Sequence, residues 1–287
     1  MLRTRIITAL VLLAILLPAL FAASPAPFIG LTLLFIAAAA WEWARLNGVT
    51  GAGALATGVL CAALCAGLWG AGVVERPLPG VWTAAGLAWV LGGIWLLGRG
   101  VAGWPRLPRA LRWLLGLAML CTAWLALAQA RRMGVNFLLS ALVLVWAADV
   151  FAYFAGRALG GRFTGGRKLA PGISPGKSWE GVWGGMLGVL VVGAGWIAYD
   201  GAHPEAAPSL YSRLHEFGLA GLVLGVVFLA AMSVVGDLIE SLVKRSAGMK
   251  DSSQLLPGHG GVLDRIDALL PTLPLAMLAA TLVARFA

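Results

Sequence analysis

Long apolar runs separated by brief polar stretches dominate the pattern of this chain. Nine of them carry few charges over roughly the 20 residues of helix needed to cross the hydrocarbon core of a bilayer. They cover residues 5–23, 27–43, 52–74, 80–97, 110–128, 133–155, 181–199, 217–243 and 265–286. In lipid a backbone must satisfy its own hydrogen bonds, and a helix does so within one segment. The pattern predicts an all-α polytopic membrane protein with about nine spans. Pro271 and Pro274 interrupt the last run, which membrane helices tolerate better than soluble ones. The first run follows Arg3 and Arg5 and ends in LFAAS, as a cleaved leader would. Its apolar part, Ile6 to Ala23, is about 18 residues and longer than a usual leader core, so it is read as the first span.

Composition agrees with this reading. Of 287 residues, 60% are hydrophobic and 11% charged, where a soluble domain carries roughly 25% charged; mean hydropathy is +0.90. A net charge of +9 raises nucleic acid as a partner, but the basic residues do not cluster as a nucleic-acid face requires, and none is expected. They follow topology instead. With the N-terminus inside, 16 of the 21 Lys and Arg fall on the inner side. Arg76, Arg131, Arg132, Arg213 and Arg285 fall outside. That asymmetry places the N-terminus in the cytoplasm. Cys61, Cys65 and Cys121 all lie in predicted spans and read as small buried side chains.

Polar residues concentrate in two places. The loop from Gly156 to Glu180 holds Arg157, Arg162, Arg167, Lys168 and Lys177 against the single acid Glu180. Its glycines, Gly160, Gly161, Gly165 and Gly166, let backbone approach a ligand closely. Gly176-Lys177-Ser178 looks like half of a phosphate-binding loop, yet Gly172 is one residue too near, and Pro171 stands where that motif needs glycine. An all-helical chain also lacks the strand that such a loop follows.

The second place is GDLIESLVKRSAGMKDSSQLLPGHGGVLDRID, residues 236 to 267. If the eighth helix continues, Asp237, Ser241 and Lys244 share a face, and Glu240 with Lys244 can pair at i, i+4. Asp264 and Asp267 share a face near the start of the ninth helix. Asp237, Asp251, Asp264 and Asp267 thus lie in or beside membrane-facing stretches, where an acid costs about 2.5–3.5 kcal/mol and reads as functional by default. Such acids serve either an ion pathway or a divalent-metal site for phosphoryl chemistry. Lys244, Arg245, Lys250 and Arg265 are poor neighbours for a conducted cation and good ones for a triphosphate. Asp149 and Tyr153, one turn apart, precede the basic loop. Glu42, between Trp41 and Trp43, is expected at the membrane interface, where aromatic belts collect.

At residues 241–267 the chain resembles the phosphatidate cytidylyltransferases, or CDP-diacylglycerol synthases. Ser241, Lys244-Arg245, Lys250-Asp251, Pro257, His259-Gly260-Gly261 and Asp264-Arg265-x-Asp267 match the family's C-terminal pattern. DVFAYFAGRALGGR and SPGKSWEG resemble family segments in the same order. One departure is Gly176, where the family usually carries a lysine or polar residue; Ser174, Lys177 and Glu180 remain in place. The first five spans match only in hydrophobic character.

The resemblance implies transfer of the cytidylyl group of CTP to phosphatidic acid, giving CDP-diacylglycerol and pyrophosphate. It implies Mg²⁺ held by Asp237, Asp264 and Asp267, and it is compatible with a second, monovalent cation such as K⁺. Asp237, Ser241, Lys244, Asp264 and Asp267 are the expected reaction-site residues, with Ser174, Lys177, Arg245, Lys250, His259 and Arg265 as substrate contacts. CTP, phosphatidic acid and membrane lipids are the implied partners, and a homodimer is compatible with it. The chain divides into N-terminal membrane helices, 1–132, and a catalytic membrane region, 133–287, with cytoplasmic loops 156–180 and 244–264. The expected location is the inner, cytoplasmic membrane, with the site facing the cytoplasm. Two alternatives stand beside this: a cytidylyltransferase for another lipid phosphate, and an ion or phosphate transporter. A transporter with an inverted repeat shows broken helices in both halves, whereas here the polar residues gather in one.

Overall fold

The computed structural model describes residues 2–286, with side chains from Arg3 to Ala284. Arg285, assigned above to the outer side, lies outside the described side chains. Among the described residues, nine helical segments are long and apolar enough to cross a membrane. They are α1 (Leu2–Phe21), α2 (Ala26–Leu46), α3 (Gly51–Gly70), α4 (Pro79–Arg99), α5 (Arg109–Met133), α6 (Val135–Leu159), α7 (Trp179–Ala202) and α9 (Gly218–Ser246), with α10 (Leu263–Ile266) and α11 (Leu269–Phe286) forming the last. A 3-10 turn, Val101–Arg106, follows α4, and a short helix, α8 (Leu210–His215), links α7 to α9. Several helices outrun their apolar stretches: α5 continues to Met133 and α9 to Ser246. The apolar pattern marks the hydrocarbon core, while the helix extends into the polar headgroup layer beyond it.

The basic loop departs from expectation. It contains an antiparallel hairpin, β1 (Lys168–Ala170) and β2 (Ser174–Ser178), pairing Lys168 with Ser178 and Ala170 with Ser174. A strand therefore does precede α7, contrary to the helix-only reading. It still makes no phosphate-binding loop, because Lys177 lies within the strand and Ser178 caps the helix, its Oγ accepting from Gly181 N at 3.2 Å.

Small residues bring α6 and α7 together. A Cβ on Gly181 would stand 3.0 Å from the Ala152 carbonyl, one on Gly185 2.8 Å from that of Ala148, and one on Gly188 inside the Phe151 ring. Membrane helices pack this way because lipid offers no hydrophobic drive to associate, so close van der Waals contact supplies the attraction. Elsewhere a tryptophan replaces a missing side chain. Trp43 of α2 fills the space above Gly116 of α5 and donates to Arg112 O at 3.0 Å. It packs edge-on against Trp104 at 5.5 Å, and Trp104 donates to Asn47 Oδ1 at 2.9 Å. Trp43 is thus a core residue rather than part of an interfacial belt.

Candidate active site

The site grows from the end of α9. Because the helix continues unbroken to Ser246, Asp237, Ser241 and Lys244 do share a face. Ser241 Oγ donates to Asp237 Oδ1 at 3.2 Å. Lys244, buried, places Nζ 2.5 Å from Glu240 Oε2 and 2.6 Å from Asp264 Oδ1. The i, i+4 pair is therefore formed, and it is extended into a triad by a carboxylate from α10. Gly236 permits this approach: a Cβ there would lie 2.5 Å from the Asp267 carbonyl and 2.8 Å from Pro271. Removing that side chain lets the loop before α11 run directly against α9.

Lys177 comes from the hairpin. Its Nζ stands 2.5 Å from Asp237 Oδ2, joining the basic loop to α9. Between α6, β2, α7 and α9 lies a cavity of about 400 Å³, and Asp149, Tyr153, Arg157, Lys177, Ser178 and Asp237 contribute to its wall. Asp149 and Tyr153 thus face the same space as the α9 acid. Arg157 donates to the Tyr153 hydroxyl at 3.1 Å, and Tyr153 and Phe154 are exposed on the outer side of α6. The cavity pairs a charged end with an apolar flank.

The signature segment wraps around Asp264. Its Oδ2 accepts from Gly261 N at 2.7 Å and Ser252 Oγ at 2.9 Å, while Ser252 N lies 3.0 Å from the same oxygen. Gly258 and Gly260 adopt φ of +77° and +84°, which favours glycine, and the turn closes with Leu256 N donating to Gly260 O at 2.8 Å. A side chain on Gly261 would collide with Ser252 and Glu42. This explains the paired glycines after His259.

The other expected residues are spread around this centre. Asp267 accepts from Ala268 N at 2.8 Å and interacts electrostatically with Asp237, Asp149 and Lys244. Arg245, at the helix end, reaches Ile173 O at 3.5 Å and Met249 O at 3.3 Å, so it ties α9 to the hairpin turn. Ser174 is half-buried at the start of β2, while Lys250, Asp251 and Arg265 are exposed. His259 leaves a buried Nδ1 with no hydrogen-bond partner among the described residues. None of Ser174, Lys250 or His259 touches the acids of α9 and α10 among the described contacts. The three cysteines sit away from this cluster, with Cys61 and Cys121 sulfurs 3.7 Å apart between α3 and α5.

Sequence reasoning missed the role of Glu42. It is fully buried, and its carboxylate accepts from Ser252, Ser253, Val262 and Leu263. The signal was available, since a lone acid inside a long apolar run is costly and needs partners; the flanking tryptophans hid it. Ser252 and Ser253 were passed over beside the charged Lys250-Asp251. Glu180 also does more than begin α7: its Oε1 accepts from Phe163 N at 3.2 Å, Thr164 N at 3.1 Å and Thr164 Oγ1 at 2.8 Å. It thereby shapes the glycine-rich turn.

Hard carboxylate oxygens beside lysines, within a polytopic helical bundle, are suited to a membrane-embedded enzyme acting on phosphate groups. A sequence profile of the cytidylyltransferase family matches residues 3–283, and the chain belongs to that family. A phosphatidate cytidylyltransferase of Pseudomonas aeruginosa is 39% identical over 281 residues, covering 96% of this chain and 95% of its own. One of Haemophilus influenzae is 48% identical over 141 residues, 49% of this chain and 44% of its own. One of Bacillus subtilis is 38% identical over 141 residues, 49% and 46% of the two chains.

Proposed function

We propose that this protein transfers the cytidylyl group of CTP to phosphatidic acid, releasing pyrophosphate and leaving CDP-diacylglycerol in the membrane. A phosphate oxygen of the lipid attacks the α-phosphorus of CTP, and the bond to the departing pyrophosphate breaks. The lipid phosphate is already anionic, so the reaction needs positioning and charge neutralisation more than a strong base. The observation that carries this reading is the Lys177–Asp237 contact at the charged end of the cavity. It sets a lysine ammonium beside a hard carboxylate oxygen on the wall of a cavity with both charged and apolar lining.

Asp237 and Asp267 interact electrostatically and offer the carboxylate oxygens that a hard divalent cation takes, whereas the oxygens of Asp237, Asp264 and Asp267 do not converge on one point among the described residues. These three residues would hold Mg²⁺, which supplies charge neutralisation of the triphosphate when bound. Asp264 gives its oxygens to Lys244, Ser252 and Gly261, so it joins the ion only by releasing a donor. A monovalent cation such as K⁺ is the second proposed ion. Lys177 and Arg157 orient phosphate oxygens from the cavity wall. Ser241 steadies Asp237. Ser174, Arg245, Lys250, His259 and Arg265 line the approach from the water side. The site opens to the cytoplasm, with the N-terminus on the same side, in the inner membrane; the basic residues of the hairpin and of the α9 end support that orientation.

Purified protein incubated with labelled CTP and phosphatidic acid should yield labelled CDP-lipid. Label with another lipid phosphate and not with phosphatidic acid would change the substrate, and ion flux without incorporation would remove the transferase reading. Cysteine substitutions of Lys250, probed with a membrane-impermeant reagent on sealed vesicles of known sidedness, test the orientation.

A further inference from the structure

Glu42 of α2 is completely buried, yet among the described residues no lysine, arginine or histidine pairs with it. Its partners all come from one segment. Ser253 Oγ donates to Oε1 at 2.5 Å and Val262 N at 2.9 Å; Leu263 N donates to Oε2 at 2.6 Å, with Ser252 Oγ at 3.2 Å. These donors bracket the glycine turn on both sides. Ser252 Oγ is also 2.9 Å from Asp264 Oδ2. One hydroxyl has one proton, so the two carboxylates share it. Glu42 therefore grips the residues immediately before and after the turn whose Ser252 and Gly261 groups hold Asp264 against Lys244.

We propose that Glu42 is a positioning residue for the transfer reaction, holding residues 252–263 in the shape that orients Asp264. This rests on the site assigned under the proposed function. A carboxylate suits the task because four donors converge on it, and an ionised acceptor binds each more strongly than a neutral one does. An amide of the same size offers one acceptor oxygen and turns an NH₂ group towards two donors.

The test compares Glu42→Gln, Glu42→Asp and Ser253→Ala, each purified in detergent. Glu42→Gln should lower kcat by about 10–100-fold, the usual scale for residues that orient metal ligands, with KM for CTP within about twofold. It should raise the Mg²⁺ concentration for half-maximal rate. Hydrogen exchange of amides 252–263 should accelerate in the metal-free protein, with α6 and α7 unchanged. Ser253→Ala, which leaves Asp264 and Ser252 untouched, should shift both readouts the same way and less. Glu42→Asp should recover part of the rate. A folded Glu42→Gln with wild-type kcat and wild-type exchange overturns the proposal. Should that variant not fold, wild-type kcat and exchange in Ser253→Ala overturns it equally. If the wild-type protein makes no CDP-lipid, the reaction assignment fails, while the exchange data still decide whether Glu42 holds the segment.

Discussion

Lys177 reaches from β2 to Asp237 of α9 and holds its carboxylate at 2.5 Å, with both side chains about a quarter exposed. The pair couples the basic hairpin to the helix that carries most of the site. In the proposed reaction the same lysine would exchange that aspartate for phosphate oxygens of a substrate.

Replacing that lysine should therefore damage turnover far more than folding. Partly exposed ion pairs contribute about 0–1 kcal/mol, so Lys177→Ala should unfold within a few degrees of wild type. Loss of one preoriented cationic donor typically costs ~10²–10³ in rate. CDP-lipid formation read beside thermal unfolding in the same detergent separates the two effects, and full activity would take the hairpin out of the site.

Lys244 should behave in the opposite way. It is buried between Glu240 and Asp264, and removing one partner of a buried ion pair costs about 3–5 kcal/mol, because the remaining charges stay uncompensated. Lys244→Met should lower the unfolding midpoint sharply. Adding Glu240→Gln should restore part of the lost stability and none of the activity. A midpoint unchanged in the single variant would contradict the buried triad.

Gly236→Ala tests the contact between α9 and the start of the last span. The added Cβ meets the Asp267 carbonyl and Pro271, and overpacking of this kind costs about 1–3 kcal/mol. Helix content by circular dichroism should be retained while activity falls, since Asp267 is displaced from Asp237. Wild-type activity would mean the close approach is not needed.

Metal removal gives the fourth expectation. Chelation should stop cytidylyl transfer and added Mg²⁺ should restore it. Asp237→Asn and Asp267→Asn should each require more Mg²⁺ for half-maximal rate, because each removes a charged oxygen from the proposed ligand set. Transfer that continues in excess chelator would exclude these acids from a metal role.

The spans were legible because apolar runs of bilayer length have few alternatives in lipid. The alignment of Asp237, Ser241 and Lys244 was legible because helical spacing fixes it once the helix is assumed. The hairpin was not: five residues of SPGKS carry neither alternation nor β-branched side chains, and the strand forms only because Lys168–Ala170 lies opposite to pair with it. Nor was the partner of Asp264 visible. Lys244 is twenty positions away, and local spacing offered Glu240 first. Glu42 was the largest miss, because its four donors lie more than two hundred residues downstream and no local pattern joins them.

That last separation bears on biogenesis. A ribosome delivers Glu42 to the bilayer 221 positions before Leu263, the most distant group it secures. Until the final loop emerges the acid has none of the donors that satisfy it in the folded protein, and a buried polar group without partners is costly. A chain ending just short of that loop already has eight of the nine described spans, yet it lacks every donor that satisfies the acid, so the last segment made completes the interior of the second helix.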